Sequence, residues 1–197
     1  MKSCQRSKCK FWSQLFFQAA MAVVYVTITV LLYLIIKKYN KSLAVGYFGF
    51  RIIGSGFLFA GIGSLLLLLG LSQSSAAAGQ ADSLYFEVIA ELFRQGRDNL
   101  NHIGMILPWS IGGLMLYYCL YKIRLIPRWL SIWGIIGSTL ALLATLLLML
   151  NIIILASPVY FILNAPIAIC EMFLAILLIF RGFNQVEIKS NDNGDGI

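Results

Sequence analysis

Long apolar runs fill most of the chain, and only short polar or basic stretches interrupt them. Five runs, Phe11–Ile36, Gly46–Leu71, His102–Leu120, Trp129–Leu155 and Pro158–Phe180, exceed the length that a membrane-spanning helix needs. A hydrocarbon core about 30 Å thick takes about 20 residues at about 1.5 Å each. Backbone groups in lipid must bond within their own segment, and runs of this length lack the dyad alternation of barrel strands. The pattern predicts an all-α, polytopic transmembrane bundle with five spans, the single domain covering residues 11–183. A basic leader, 1–10, precedes it, and a polar tail, 184–197, expected to be disordered, follows.

One connection is long. Residues 72–101 begin as a small-residue linker and then turn periodic: Glu87, Glu91, Arg94 and Asp98 recur at helical spacing, with Tyr85, Val88, Ile89, Leu92 and Phe93 on the other face. This predicts a short amphipathic helix over about 84–98, capped by Asp82 or Ser83 and lying in the membrane interface.

Composition and charge refine this picture. Of the 197 residues, 60% are hydrophobic and 12% are charged. That balance excludes a soluble globule. Although the leader, MKSCQRSKCK, resembles the basic start of a signal peptide, the apolar run behind it is too long for one and reads as a span. Lys37, Lys38, Lys41, Lys122, Arg124, Arg128, Lys189, Arg51 and Arg181 fall on one side of a five-span chain. Lys2, Arg6, Lys8, Lys10, Arg94 and Arg97 fall on the other. Basic residues concentrate in the cytoplasm, so the interior loops predict a cytoplasmic C-terminus in the cell membrane of a bacterium. The leader opposes that arrangement, a conflict that a missing first span would relieve.

Two small-residue stripes, Gly56, Ala60, Ser64 and Gly137, Ala141, Thr145, are expected to be helix-packing faces, with a pore lining as the other reading. Pro108 should kink the third span between Gly104 and Gly112.

The final span carries one acid, Glu171, inside IAICEMFLAILLIF. Asn164, seven residues earlier, shares its helix face with Ala168 and Ala175, and that face should point into the bundle. Pro166 frees the carbonyl of Ile162 for Asn164 or a water. Counting from Arg181 places Glu171 about 15 Å deep. An ionised acid alone there costs about 2.5–3.5 kcal/mol, so it is either neutral or paired. Arg51, about 7 Å in if its helix starts at Gly46, is the candidate partner. The polar intramembrane locus is therefore Arg51, Asn164 and Glu171, with either an Arg51–Glu171 pair or a neutral acid bonded to Asn164.

Other chemistry is sparse. His102 is the sole histidine and reads as an interfacial cap; Cys4, Cys9, Cys119 and Cys170 read as small hydrophobes or incidental thiols, and neither set suggests a metal site. No HExxH, GxSxG or phosphate-loop pattern occurs, so no catalytic residue, cofactor or metal is expected. The expected function is that of a structural or regulatory membrane component, with a small carrier or proton-linked sensor centred on Glu171 as the alternative. Its expected partners are the lipid bilayer and another membrane protein or a second copy, not nucleic acid.

LMLYYCLYKIRLIPRWLSIWGIIG, Leu114 to Gly137, resembles the bacterial integral membrane proteins of the domain of unknown function 4386 family, through Tyr117, Tyr121, Leu125, Ile126, Pro127, Arg128, Trp129, Leu130, Gly134 and Gly137. The closing span matches at Pro166, Glu171 and Gly182, and GYFGFRIIG at Gly46, Tyr47, Phe50 and Arg51. The resemblance covers about residues 20–183. It implies a six-span or, here, five-span fold in the cell membrane and carries no activity or cofactor. Members usually begin with one more span and carry an acid three residues after the arginine, where this chain has Gly54. Within the motif, Lys122, Arg124, Pro127, Arg128 and Trp129 read as interface anchors: basic residues at the headgroups, a proline opening the next helix, and an indole at the boundary.

Overall fold

The computed structural model describes residues 2–78, 83–155 and 157–180, with side chains over 11–74, 85–155 and 157–180. The polar tail, Arg181, the expected cap residue Asp82 and the side chains of Ser83 and of the leader lie outside the described residues. Six α-helices run in chain order: α1 (Lys2–Ile36), α2 (Lys41–Ala78), α3 (Ser83–Asn99), α4 (Ile106–Ile123), α5 (Arg128–Met149) and α6 (Pro158–Phe180). Five helical segments are long and apolar enough to cross a membrane, α3 and α4 forming one of them. Among the described residues the chain is all helix and turn, and many large apolar side chains face outward, as lipid contact requires.

Local chemistry fixes the helix ends. The Asn40 side-chain oxygen accepts from the Leu43 N–H at 3.0 Å and caps α2, so that helix begins at Lys41 instead of Gly46. Ser157 caps α6 in the same way, accepting from the Tyr160 N–H at 3.3 Å. Pro158 takes the first helical position there, where its missing N–H costs nothing. The fourth span was expected to reach Leu155, but α5 stops at Met149. Asn151 takes a left-handed conformation (φ 55°), its N–H bonds the Leu148 carbonyl, and the Ile152 N–H bonds the Leu147 carbonyl. This paired closure ends a helix where asparagine tolerates positive φ. Arg124, at φ 54°, ends α4 likewise.

The amphipathic segment is helical, as its spacing predicts, and forms α3. It runs through a π turn, Leu100–Gly104, straight into α4, and packs along the far end of α2. Ile89 and Phe93 are half-buried, while Tyr85, Val88 and Leu92 stay exposed. Glu91 and Asp98 both pair with Arg94, at 2.7 and 3.3 Å. The α-helical pattern is interrupted upstream of Pro108, by that π turn. There the Met105 N–H bonds Leu100 O at 3.0 Å, and Gly104 lets the Phe57 ring approach to 2.7 Å of where a Cβ would stand.

The helices pack in the order α1, α2, α4, α5, α6, with α1 touching α4 lightly. The largest core cluster lies between them, from Leu32 and Tyr47 through Leu116, Tyr117 and Leu120 to Cys170 and Leu174. Gly134 lies directly under the Tyr117 ring, and a Cβ at Gly137 would stand 2.9 Å from the Ile167 backbone nitrogen, so α5 receives both neighbours through glycines. Ala141 and Thr145 continue that buried seam. The other stripe behaves differently. Gly56 and Ala60 are exposed, Ser64 is half-buried, and nothing among the described residues lies within 4 Å of a Cβ at Gly56, so no described helix approaches the stripe closely there. The inward seam of α2 runs instead through Arg51, Ser55, Leu58 and Leu65.

Candidate functional site: a charged locus between helices

Arg51 sits ten residues into α2 and Glu171 nine residues before the end of α6, so each lies about 15 Å from its helix end. The earlier start of α2 removes the depth difference between them that the sequence suggests. Arg51 Nη2 donates to Glu171 Oε1 at 3.2 Å. Its side chain is 6% exposed against 32% for the glutamate, so the cation is buried and the carboxylate stands at the edge of an opening.

Trp109 of α4 completes the arrangement. Its Nε1–H donates to the same Glu171 oxygen at 3.2 Å, and its ring lies under the Arg51 guanidinium, 3.7 Å from the centroid. Tyr47, one turn before Arg51 in α2, adds a second ring at 5.6 Å, and Tyr25 of α1 packs on Trp109 with centroids 4.3 Å apart. Aromatic faces stabilise a desolvated cation by about 2 kcal/mol or more. Gly112 makes room for the arginine stem: a Cβ there would meet Arg51 Cγ at 3.2 Å. Gly54 lies against the Met105 carbonyl, 3.1 Å from a Cβ position, so the acid that the resemblance leads one to expect there would displace the α4 backbone.

Asn164 does not reach the carboxylate. Its Nδ2 donates to the Tyr160 carbonyl at 2.9 Å, one turn back in α6, while its side chain lines a cavity of about 160 Å³ beside Glu171. Ala168 lines the same chamber, whereas Ala175 is exposed away from it. Ser138 Oγ also borders the chamber, is fully buried, and has no hydrogen-bond partner among the described residues.

A second polar group was not legible in the sequence. Gln18 of α1 donates to Asn101 Oδ1 at 3.2 Å and to the Leu58 carbonyl at 3.3 Å, tying α1, α2 and the π turn together. An amide in an apolar run needs a partner in lipid, and that requirement is the signal that could have found it. His102 is not an interfacial cap: it sits on the π turn with Nδ1 2.9 Å from the Tyr160 hydroxyl. Gln18, Asn101 and His102 border a larger cavity of about 460 Å³ at the N-terminal end of the bundle.

The basic turn between α4 and α5 lies at the opposite end of the bundle. Lys122, Arg124, Arg128 and Trp129 are exposed, Arg128 lies 5.8 Å from the Tyr121 ring, and Trp129 packs with Trp133 and Phe173. Pro127 is the N-cap of α5 and not its first helical residue; its carbonyl accepts from Leu130 and Ser131. Leu125 and Ile126 fold back into the core.

The model of a domain of unknown function, DUF4386, matches residues 2–182, which includes the whole of α1 and every side chain of the charged locus. The chain belongs to the DUF4386 family. The match begins well before residue 20, where the sequence motifs alone place the start of the likeness. Neither the curated proteins nor the solved structures give this DUF4386 chain a match.

Proposed function

We propose that this multi-pass protein is a structural or regulatory component of the bacterial cell membrane, without enzymatic activity, and that the Arg51–Glu171–Trp109 cluster is the clamp that closes its bundle. The observation that carries this reading is the 3.2 Å Arg51–Glu171 pair, because α6 packs mainly against α5 and this pair ties it directly to α2. The clamp joins α6 to α2 and α4 within the apolar part of the bundle, with the guanidinium side buried. Its polarity makes α6 a closing element whose position depends on one ion pair, and lipid or another membrane protein is the partner such a bundle would answer to.

Removing one charge leaves the other uncompensated in the membrane. Arg51→Gln and Glu171→Gln are each expected to lower stability by about 2–3 kcal/mol in detergent unfolding, and the double variant by clearly less than their sum. Strictly additive losses, or a Glu171→Gln protein as stable as the parent, would refute the clamp.

A second reading, a small carrier or proton-linked sensor centred on Glu171, draws support from the chamber beside the carboxylate, whose Oε2 has no hydrogen bond among the described residues. That reading expects proteoliposomes to show a pH-driven signal that disappears in a folded Glu171→Gln variant.

A further inference from the structure

The 160 Å³ chamber and the 460 Å³ cavity are neighbours. Met105 and Ile106 line both, so the floor of the larger cavity is the roof of the smaller one. The larger cavity reaches up to Ser13 on α1 and Arg97 on α3, beyond the end of the third apolar run, and six of its twelve lining residues are polar. Polar side chains also line the smaller one: Ser110, Ser138, Asn164 and Glu171.

We propose that these two cavities form one water-accessible route from the N-terminal side of the membrane to the carboxylate of Glu171, with the Met105 side chain as its narrowest point. Three observations argue for water here and against lipid. Ser138 Oγ and Arg51 Nε are buried and have no protein partner among the described residues, and buried polar groups are paired with protein or with ordered water. A water site needs about 10–15 Å³ and two to four polar partners, so the chamber has room for several. The π turn at Leu100–Gly104, a distortion frequent at functional sites, turns Asn101 and His102 toward the upper cavity, where an unbroken helix would present a different face. Methionine suits the constriction because its unbranched thioether changes shape with little cost. The route serves small polar species, water and the protons it carries. It requires only the position of Glu171 and is independent of whether the ion pair acts as a clamp.

Thiol accessibility tests the route. In a Cys4→Ser/Cys9→Ser background, where Cys119 and Cys170 are buried, single cysteines are placed at Ser13, Ser110 and Ala168, with Ile136→Cys on the exposed face of α5 as the lipid-facing control. Each is treated with a charged, membrane-impermeant methanethiosulfonate from one side at a time, the N-terminal side being fixed by a tag. Such reagents react with the thiolate, which forms only where water reaches. The expected result is modification at 13, 110 and 168 from the N-terminal side, at least tenfold faster than at 136, with Met105→Ala accelerating 110 and 168 but not 13. Rates at both 110 and 168 equal to that at 136, or faster reaction of both from the C-terminal side, would overturn the route. Two chamber positions are used so that a folding defect in one variant leaves the other informative, and thermal midpoints identify such a defect. Clamp failure is read as stability and route failure as accessibility, so the two remain separable.

Discussion

Arg51 satisfies its charge through three kinds of neighbour: one carboxylate oxygen, two aromatic faces and a glycine that clears its stem. Trp109 contributes twice, as donor to the carboxylate and as a surface for the guanidinium, and the two contributions separate by substitution. Trp109→Phe keeps the ring and loses the N–H, and is expected to cost about 1–2 kcal/mol in detergent unfolding. Trp109→Leu loses both and should cost about 2 kcal/mol more. Equal losses would mean that the ring contributes nothing to the cation. The charges themselves were legible in the sequence, because an acid and a base in apolar runs are scarce and each demands a partner. Trp109 was not, since an indole in a membrane helix ordinarily reads as packing or as an interface anchor, and nothing in its spacing distinguishes a hydrogen-bond donor.

Helix faces follow from the same charge. At about 100° per residue, Gly56, Ala60 and Ser64 lie about 140°, about 180° and about 220° around α2 from Arg51. Once Arg51 points inward, those three must point outward, and the sequence already contained that incompatibility between two expectations. Small-residue spacing shows that a helix can be approached closely and does not show from which side. Gly137 is the opposite case, pressed by the Ile167 backbone. Gly137→Ala should therefore force α5 and α6 apart and lower the thermal midpoint, at a cost of about 1–3 kcal/mol. Gly56→Ala should change stability by no more than about 0.5 kcal/mol. A larger loss at Gly56 than at Gly137 would contradict the packing described. The helix ends were less legible than the faces, because the Asn40 cap and the Asn151 closure act through single side-chain or backbone bonds that leave no periodic trace.

At the scale of the molecule, α2 and the α3–α4 rod are each far longer than a bilayer core is thick. Helix α2 has 38 residues. That length corresponds to about 57 Å at about 1.5 Å per residue, against about 30 Å of hydrocarbon. The excess lies at the end where α1 begins, so the bundle carries a helical extension on its N-terminal side, over the larger cavity. Five crossings, if each apolar segment spans, would put residues 11 and 180 on opposite faces. With basic residues concentrated at the loops opposite that extension, reporter fusions are expected to be active in the cytoplasm at the C-terminus and outside at the N-terminus; the reverse pattern would invert the molecule. The ion pair also has a consequence for how the chain is made. Its two charges are 120 residues apart. At about 5–20 residues per second, Arg51 meets the membrane about 6–24 s before Glu171 exists. In that interval Tyr47, on the same helix, is the one of the two rings facing the guanidinium that is already synthesised, and Trp109 follows before the acid. An intermediate of biogenesis that precedes α6 would therefore hold an unneutralised guanidinium, and the arrival of α6 would discharge it.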